Sequence, residues 1–358
     1  MRAFLTDVIT DRRRDLAGRL TGGILAVLEL PYGAAVRLRR AAYRAGLLPS
    51  RRAPLPVLSV GNLTWGGTGK TPLTIYLARG LLARSLKPAI VTRGYGAPAQ
   101  TGQRPHAGVS DETVVQQALL PGVPVIVSPR RIAGCREAAA RGAEVVLLDD
   151  GFQHRALRRD LEIVTIDATN PFGNGRLLPR GILREPLAVL REAGVLVLTR
   201  ADQAPPEALA ALKQKLATLA PGALLVTARH RPERLRGYLV ANEKPLAELA
   251  DLPVALFSGI GNPEAFSRTV RDLGARIVGE RRFPDHHLFT AAELGEVGRA
   301  ASAAGAKLVL TTEKDAVKIR RDPRWAMPLY VLGVTLEILT GEAELWAAVE
   351  RAARRTSQ

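Results

Sequence analysis

The densest chemistry in this 358-residue chain lies in Val57-Leu-Ser-Val-Gly-Asn-Leu-Thr-Trp-Gly-Gly-Thr-Gly-Lys-Thr71. An apolar run leads into a glycine-rich turn and then into the start of a helix. Such a turn aims several backbone N–H groups at one anion at a helix N-terminus. Lys70 would add a point charge on the β- and γ-phosphates of a nucleotide, and the Thr71 hydroxyl a ligand for Mg²⁺. The position six before Lys70 is Thr64, where the strict P-loop pattern has glycine. Gly66, Gly67 and Gly69 still leave the loop free to curl. Thr64, Trp65, Gly66, Gly67, Thr68, Gly69, Lys70 and Thr71 are therefore the expected binding loop for a nucleoside triphosphate.

Three further groups carry chemistry. Leu147-Leu-Asp-Asp-Gly-Phe-Gln-His154 puts Asp149 and Asp150 where an apolar strand meets a turn, the place where P-loop enzymes keep an acid for Mg²⁺. Adjacent residues of a regular strand face opposite ways, so one would bind metal and the other orient a base or the turn. Ser110-Asp-Glu-Thr113 has the pattern of a helix opening, with Ser110 as cap and Asp111 and Glu112 in the first turn. Local physics favours that structural role for both acids. Phe283-Pro-Asp-His-His-Leu-Phe289 holds two of the five histidines. Histidine suits proton transfer near neutral pH, although a His-His turn is more often surface. Thr199-Arg-Ala-Asp202 resembles the base-reading element of P-loop GTPases, which raises a membrane-associated GTPase or assembly ATPase as the alternative function.

These groups need a scaffold, and the pattern around them supplies one. Short apolar runs at 89–92, 123–127, 145–148, 163–166 and 195–198 alternate with stretches of helical period. Alternation of this kind predicts an α/β fold, a P-loop NTPase-type domain built on a mostly parallel sheet. Ligands on such sheets lie beyond the carboxyl ends of the strands, where Arg93, Asp149, Asp150, Asp167 and Arg200 fall. Residues 230–253 are polar and weakly periodic and read as a hinge. Beyond it the pattern restarts at 254–257, 308–310 and 329–332, which predicts a second, smaller α/β domain. The expected division is an N-terminal segment over 1–50, a P-loop kinase domain over 51–232, and a hinge with the smaller domain over 233–358.

The formal net charge of +17 points to anionic partners. Residues 1–55 hold eleven arginines against Asp7, Asp11, Asp15 and Glu29, a local net of +7. Within them, Leu20 to Val36 is apolar but interrupted by Glu29 and Pro31, so it lacks the length of about 20 uninterrupted apolar residues that a spanning helix needs. Arg37, Arg40 and Arg44 share one helical face. A helix lying on an anionic membrane surface is the favoured reading, with a solvated basic helix packed on the protein as the other. The single cysteine, Cys135, excludes an internal disulfide and a cysteine zinc site; it reads as a small buried side chain. A nucleic-acid-binding module fits poorly, since only 4% of residues are aromatic and none interleave with the arginines.

Taken in order, these pieces resemble the tetraacyldisaccharide 4′-kinase family, the lipid A kinases of Gram-negative bacteria. The matching residues are Val60–Pro72, Thr92-Arg-Gly-Tyr-Gly96, Asp111-Glu112, Asp149–His154, Leu178–Glu185, Phe257–Pro263, Pro284-Asp-His286 and Thr311–Lys318. The resemblance implies transfer of the ATP γ-phosphoryl to the 4′-hydroxyl of a tetraacylated glucosamine disaccharide 1-phosphate. It places the enzyme peripherally on the cytoplasmic face of the inner membrane, with ATP and Mg²⁺ as cofactors and no nucleic acid as partner. It further implies that Asp111 and His286 form the dyad that accepts the sugar hydroxyl's proton. Lys70 and the 64–71 loop would hold the phosphates; Thr71 with Asp149 or Asp150 would manage Mg²⁺. Glu112, Arg93 and His154 would help position the substrate. With Asp111 in the kinase domain and His286 in the smaller one, catalysis would depend on domain closure.

Overall fold

The computed structural model describes residues 2–11, 13, 15–94, 109–238, 242–319 and 327–354. Tyr95 and Gly96 of the Thr92–Gly96 element lie outside them. The chain opens with helices α1 (Arg2–Ile9) and α2 (Leu16–Arg44), then β1 (Val57–Asn62), α3 (Lys70–Ala83) and β2 (Pro88–Thr92). Next come α4 (Asp111–Leu119), β3 (Val125–Val127), α5 (Arg131–Ala140), β4 (Val145–Asp149), β5 (Leu161–Asp167) and β6 (Val195–Thr199). They are followed by α6 (Pro206–Leu219), β7 (Leu224–Gly237), β8 (Glu243–Lys244), β9 (Pro253–Ser258), α7 (Pro263–Asp272) and β10 (Arg276–Arg282). The last are α8 (Ala291–Ala303), β11 (Leu308–Thr312), α9 (Glu313–Ala316), β12 (Leu329–Thr340) and α10 (Glu342–Ala353).

Two compact units result, one from residues 1–93, 122–229 and 337–358, the other from 94–121 and 230–336. In the first, parallel strands follow the order β3-β2-β4-β1-β5-β6-β7. Because β1 lies between β4 and β5, the P-loop leaves the carboxyl edge beside the ends of both, with Val60 opposite Asp149 and Asn62 opposite Thr165. That position, where the chain order reverses, is where α/β sheets bind ligands. Strands β1, β2 and β4 are buried along their whole length. Apolar clusters around Val164, Leu196 and Leu216 and around Val91, Cys135 and Val146 form the core of this unit. Cys135 is fully buried, and burial pushes its thiol up to about 11.

In the second unit, parallel strands follow the order β10-β9-β11-β12. Phe266 and Leu310 belong to one of its apolar clusters, Phe257 and Val297 to another.

Three local expectations are revised. The division is not linear: residues 94–121, with α4, belong to the second unit, and 337–358, with α10, to the first. The described part of 230–253 is no irregular hinge, because β7 runs to Gly237 and pairs antiparallel with β8. The strand reads as polar because it carries four arginines, including Arg229, ion-paired to Glu337 at 3.0 Å, and Arg234, ion-paired to Glu313 at 2.9 Å.

The third concerns the basic face of α2. Arg40 is buried between Glu185 at 3.0 Å and Glu192 at 2.6 Å, and Arg44 also reaches Glu192. Glu29 accepts the Leu177 N–H, and the Tyr32 hydroxyl donates to the Arg184 carbonyl. Arg40 thus packs on the protein while Arg37 and Arg44 are exposed, and Leu16, Leu20, Ile24, Val27 and Leu38 are exposed on the opposite side. No described helix is long and apolar enough to cross a membrane.

Candidate functional site

In the first unit the loop after β1 has the geometry its glycines predict. Gly66 and Gly69 sit at φ +114 and +85, open to glycine but strained for other residues. A side chain at Gly61 would drive a Cβ to 2.5 Å from that of Phe152. Helix α3 starts at Lys70, so the loop N–H groups precede its positive end. Lys70 Nζ donates to Asn62 Oδ1 at 3.1 Å and lies 3.6 Å from Asp150. Asn62 in turn donates to the Thr64 carbonyl, and Trp65 N–H to that of Ile182. The lysine is thereby held folded back along its own loop.

Asp149 ends β4 and is buried; Asp150 follows in a left-handed conformation at φ +52. That turn separates the two carboxylates. Arg184 donates to both Asp150 oxygens, at 3.0 and 3.1 Å. Burial works against ionisation of Asp150, but Lys70 and Arg184 outweigh it and hold its carboxyl below the usual range. His154 is pushed down to about 4, first by burial and then by Arg131, Arg159, Arg39 and Arg93. Its imidazole is neutral at physiological pH.

Within Thr199–Asp202, Arg200 is tied to the protein itself. Its guanidinium is buried against Asp167 at 2.5 Å and donates to the Gly67 carbonyl at 3.1 Å. The Thr199 hydroxyl donates to the Thr68 carbonyl, and the hydroxyls of Thr68 and Thr165 share a hydrogen bond. Thr199 and Arg200 thus buttress the P-loop. Arg200→Leu is expected to cost about 3–5 kcal/mol, because Asp167 keeps a buried charge without its guanidinium. Thermal melting with and without nucleotide checks this: the fall in Tm should come with weaker ATP binding.

The second unit holds a different constellation. Asp111 is the first residue of α4, buried, with Ser110 capping through the Thr113 N–H. His286 sits at φ +61, its N–H donating to Gly259 O and Asp285 Oδ1. A left-handed non-glycine residue so held marks a strained position of the kind found at functional sites. His286 Nδ1 lies 3.1 Å from Asp111 Oδ2. Glu112 and Asp285 come within 3.8 and 3.7 Å of Nε2, and Lys314 Nζ lies 2.9 Å from Glu112. His287 points elsewhere, to Glu293 at 3.1 Å.

A family model described as tetraacyldisaccharide-1-P 4′-kinase matches residues 22–354 of this chain. The chain belongs to the tetraacyldisaccharide 4′-kinase family. It is 46% identical over 347 residues to the tetraacyldisaccharide 4′-kinase of Anaeromyxobacter dehalogenans strain 2CP-C, covering 93% of this chain and 91% of that one. To the enzyme of the same description from Halothermothrix orenii it is 35% identical over 378 residues, covering 98% of each. Among solved structures, LpxK from Aquifex aeolicus in complex with ATP is similar at a TM-score of 0.70 and 30% identity, over 93% of this chain and 99% of that one. As a member of this kinase family the chain is an ATP-dependent kinase, and the GTPase alternative is not favoured.

In this 4′-kinase the structure brings Lys70, Thr71, Asp149 and Asp150 into one unit and Asp111, Glu112 and His286 into the other. The separation of Asp111 from His286 is corrected: they are 175 positions apart yet share a unit, so their pairing needs no closure. Asp111 is both a first-turn helix residue and the partner of His286. Asn62, Arg184 and Lys314 escaped residue-type reasoning as site components. All three lie inside matched motifs, Val60–Pro72, Leu178–Glu185 and Thr311–Lys318, and that was their only signal.

Proposed function

We propose that the 4′-kinase moves the ATP γ-phosphoryl group to the 4′-hydroxyl of a tetraacylated glucosamine disaccharide 1-phosphate in lipid A biosynthesis, using the groups above in separate roles. The observation that carries the acid–base part is the 3.1 Å contact between His286 Nδ1 and Asp111 Oδ2. With Nδ1–H donated to Asp111, the Nε2 lone pair is left to take the sugar hydroxyl's proton. Lys70 and the N–H groups of residues 64–71 hold the transferring phosphates and offset the charge that spreads over them.

Thr71 and the carboxylates of Asp149 and Asp150 are hard oxygen donors, which suits Mg²⁺. Among the described residues no group of three or more His, Cys, Asp or Glu forms a cage of its own. An ion carried on nucleotide phosphates needs only one or two carboxylates. Asp150 is held by Arg184 and Lys70, and Asp149 is buried at the end of β4. Bound there, Mg²⁺ supplies further neutralisation of the phosphate charge. Arg93, His154 and Glu112 are assigned to positioning.

The acceptor carries acyl chains, and the exposed stripe on α2 supports peripheral attachment at the cytoplasmic face of an anionic inner membrane. Replacing Leu20, Ile24 and Val27 together by serine should cut co-sedimentation with anionic vesicles by at least about tenfold and leave Tm unchanged, since all three are exposed. Deleting residues 1–48 is a poorer test, because it strips Arg40 from buried Glu185. Unchanged vesicle binding by the triple variant would put the attachment elsewhere. The activity itself is tested with radiolabelled ATP and the disaccharide 1-phosphate in detergent. A doubly phosphorylated lipid is expected; ATP hydrolysis without lipid labelling would overturn the reading.

A further inference from the structure

We propose that Lys314 is a positioning residue for the dyad, keeping His286 able to accept a proton by cancelling the carboxylates that crowd its Nε2. This rests on the dyad reading of His286. The imidazole faces three carboxylates: Asp111 at 3.1 Å from Nδ1, with Asp285 at 3.7 Å and Glu112 at 3.8 Å from Nε2. Left uncompensated, that much negative charge favours the imidazolium, which has no lone pair to offer.

Lys314 bridges the two acids nearest Nε2, reaching Glu112 Oε1 at 2.9 Å and Asp285 Oδ1 at 3.4 Å. They come from different elements, the start of α4 and the turn between β10 and α8, so one ammonium also fixes the geometry between them. Burial works against the charge of Lys314, yet Glu112 and Asp285 outweigh it and raise its affinity for the proton. Burial likewise opposes ionisation of Glu112, but Lys314 and His286 bring its carboxyl down to about 2. The pair is fully ionised wherever the enzyme works.

Among the described residues, the other charged groups of this neighbourhood are committed. Lys318 is buried, 2.6 Å from Asp315 and 3.1 Å from the Gly259 carbonyl, and comes no nearer than 4.0 Å to Asp111. Glu313 pairs with Arg234, and His287 with Glu293. Lys314 is therefore the cation placed to offset Glu112 and Asp285. It lies in the Thr311–Lys318 motif, to which the phosphate and proton roles give no other task.

The test is the pH dependence of kcat in the full-length enzyme, with an NMR titration of the His286 ring assigned through His286→Ala. Lys314→Met should move the acid limb of the profile upward by about one to two pH units, the effect of one charge at this range. The sign follows from the chemistry: without the ammonium the imidazolium persists to higher pH, so activity is lost near neutrality and returns on the alkaline side. Lys314→Arg should keep the limb within about half a unit of wild type, since the charge is retained. Lys314→Met combined with Glu112→Gln should bring the limb back toward wild type, because one uncompensated carboxylate is gone, and it tests the idea if the single variant folds poorly. An equal loss of activity at every pH, with the His286 titration unmoved, would overturn the proposal. If His286→Ala itself leaves the acid limb in place, the dyad reading fails instead.

Discussion

Alanine at Lys70 is expected to lower kcat by at least about 10²-fold, the largest single loss from the phosphate-holding loop. The ammonium stabilises charge that develops on the transferring phosphoryl group, and no neighbour can replace it. Asn62, its hydrogen-bond partner at 3.1 Å, is neutral, and Arg184 is bound to Asp150. The fold should tolerate the change, because Asp150 keeps Arg184 when it loses the lysine at 3.6 Å. A steady-state lipid-labelling assay beside a melting curve separates the effects. A near-normal kcat would remove the P-loop lysine from the mechanism, and a collapsed Tm would make it a structural residue.

Substitution of Asp111 or His286 by alanine should each lower kcat by about 10²–10⁴-fold and leave ATP affinity nearly intact. The double substitution should cost little more than the worse single one, because groups that act as a unit are non-additive. Capping does not confound this test: Ser110, not Asp111, accepts the Thr113 N–H, so α4 keeps its cap in both variants. The buried ammonium of Lys318 also keeps Asp315 at 2.6 Å when Asp111 is removed. A double-mutant cycle on kcat, with Tm measured for all four proteins, gives the answer. Additive losses, or rates that follow unfolding, would sink the pair.

The strands and the chemical groups at their ends were legible because both are written locally. An apolar run of four to six residues between helical stretches predicts a buried parallel strand whatever its neighbours are, and β1, β2, β4, β5 and β6 lie where the runs fall. The P-loop needs glycine at left-handed positions such as Gly66 and Gly69, and so announces itself by composition. The family could be recognised because several such short signals occur in one order.

Residue types alone left partners and direction open. Arg37, Arg40 and Arg44 fall on one helical face by spacing, but spacing does not say whether that face meets lipid or Glu185 and Glu192. Arg200 looked like part of a base-reading element until Asp167 and the Gly67 carbonyl were found beside it. By residue type Asp111 looked like an ordinary first-turn acid of a kinase domain; the family resemblance paired it with His286, and the tertiary structure put α4 in one unit with both His286 and Lys314. The physical reason is the same each time. Secondary structure follows from interactions within a few residues, whereas the partner of a buried charge is chosen when distant segments close on one another, and that choice leaves no period in the chain.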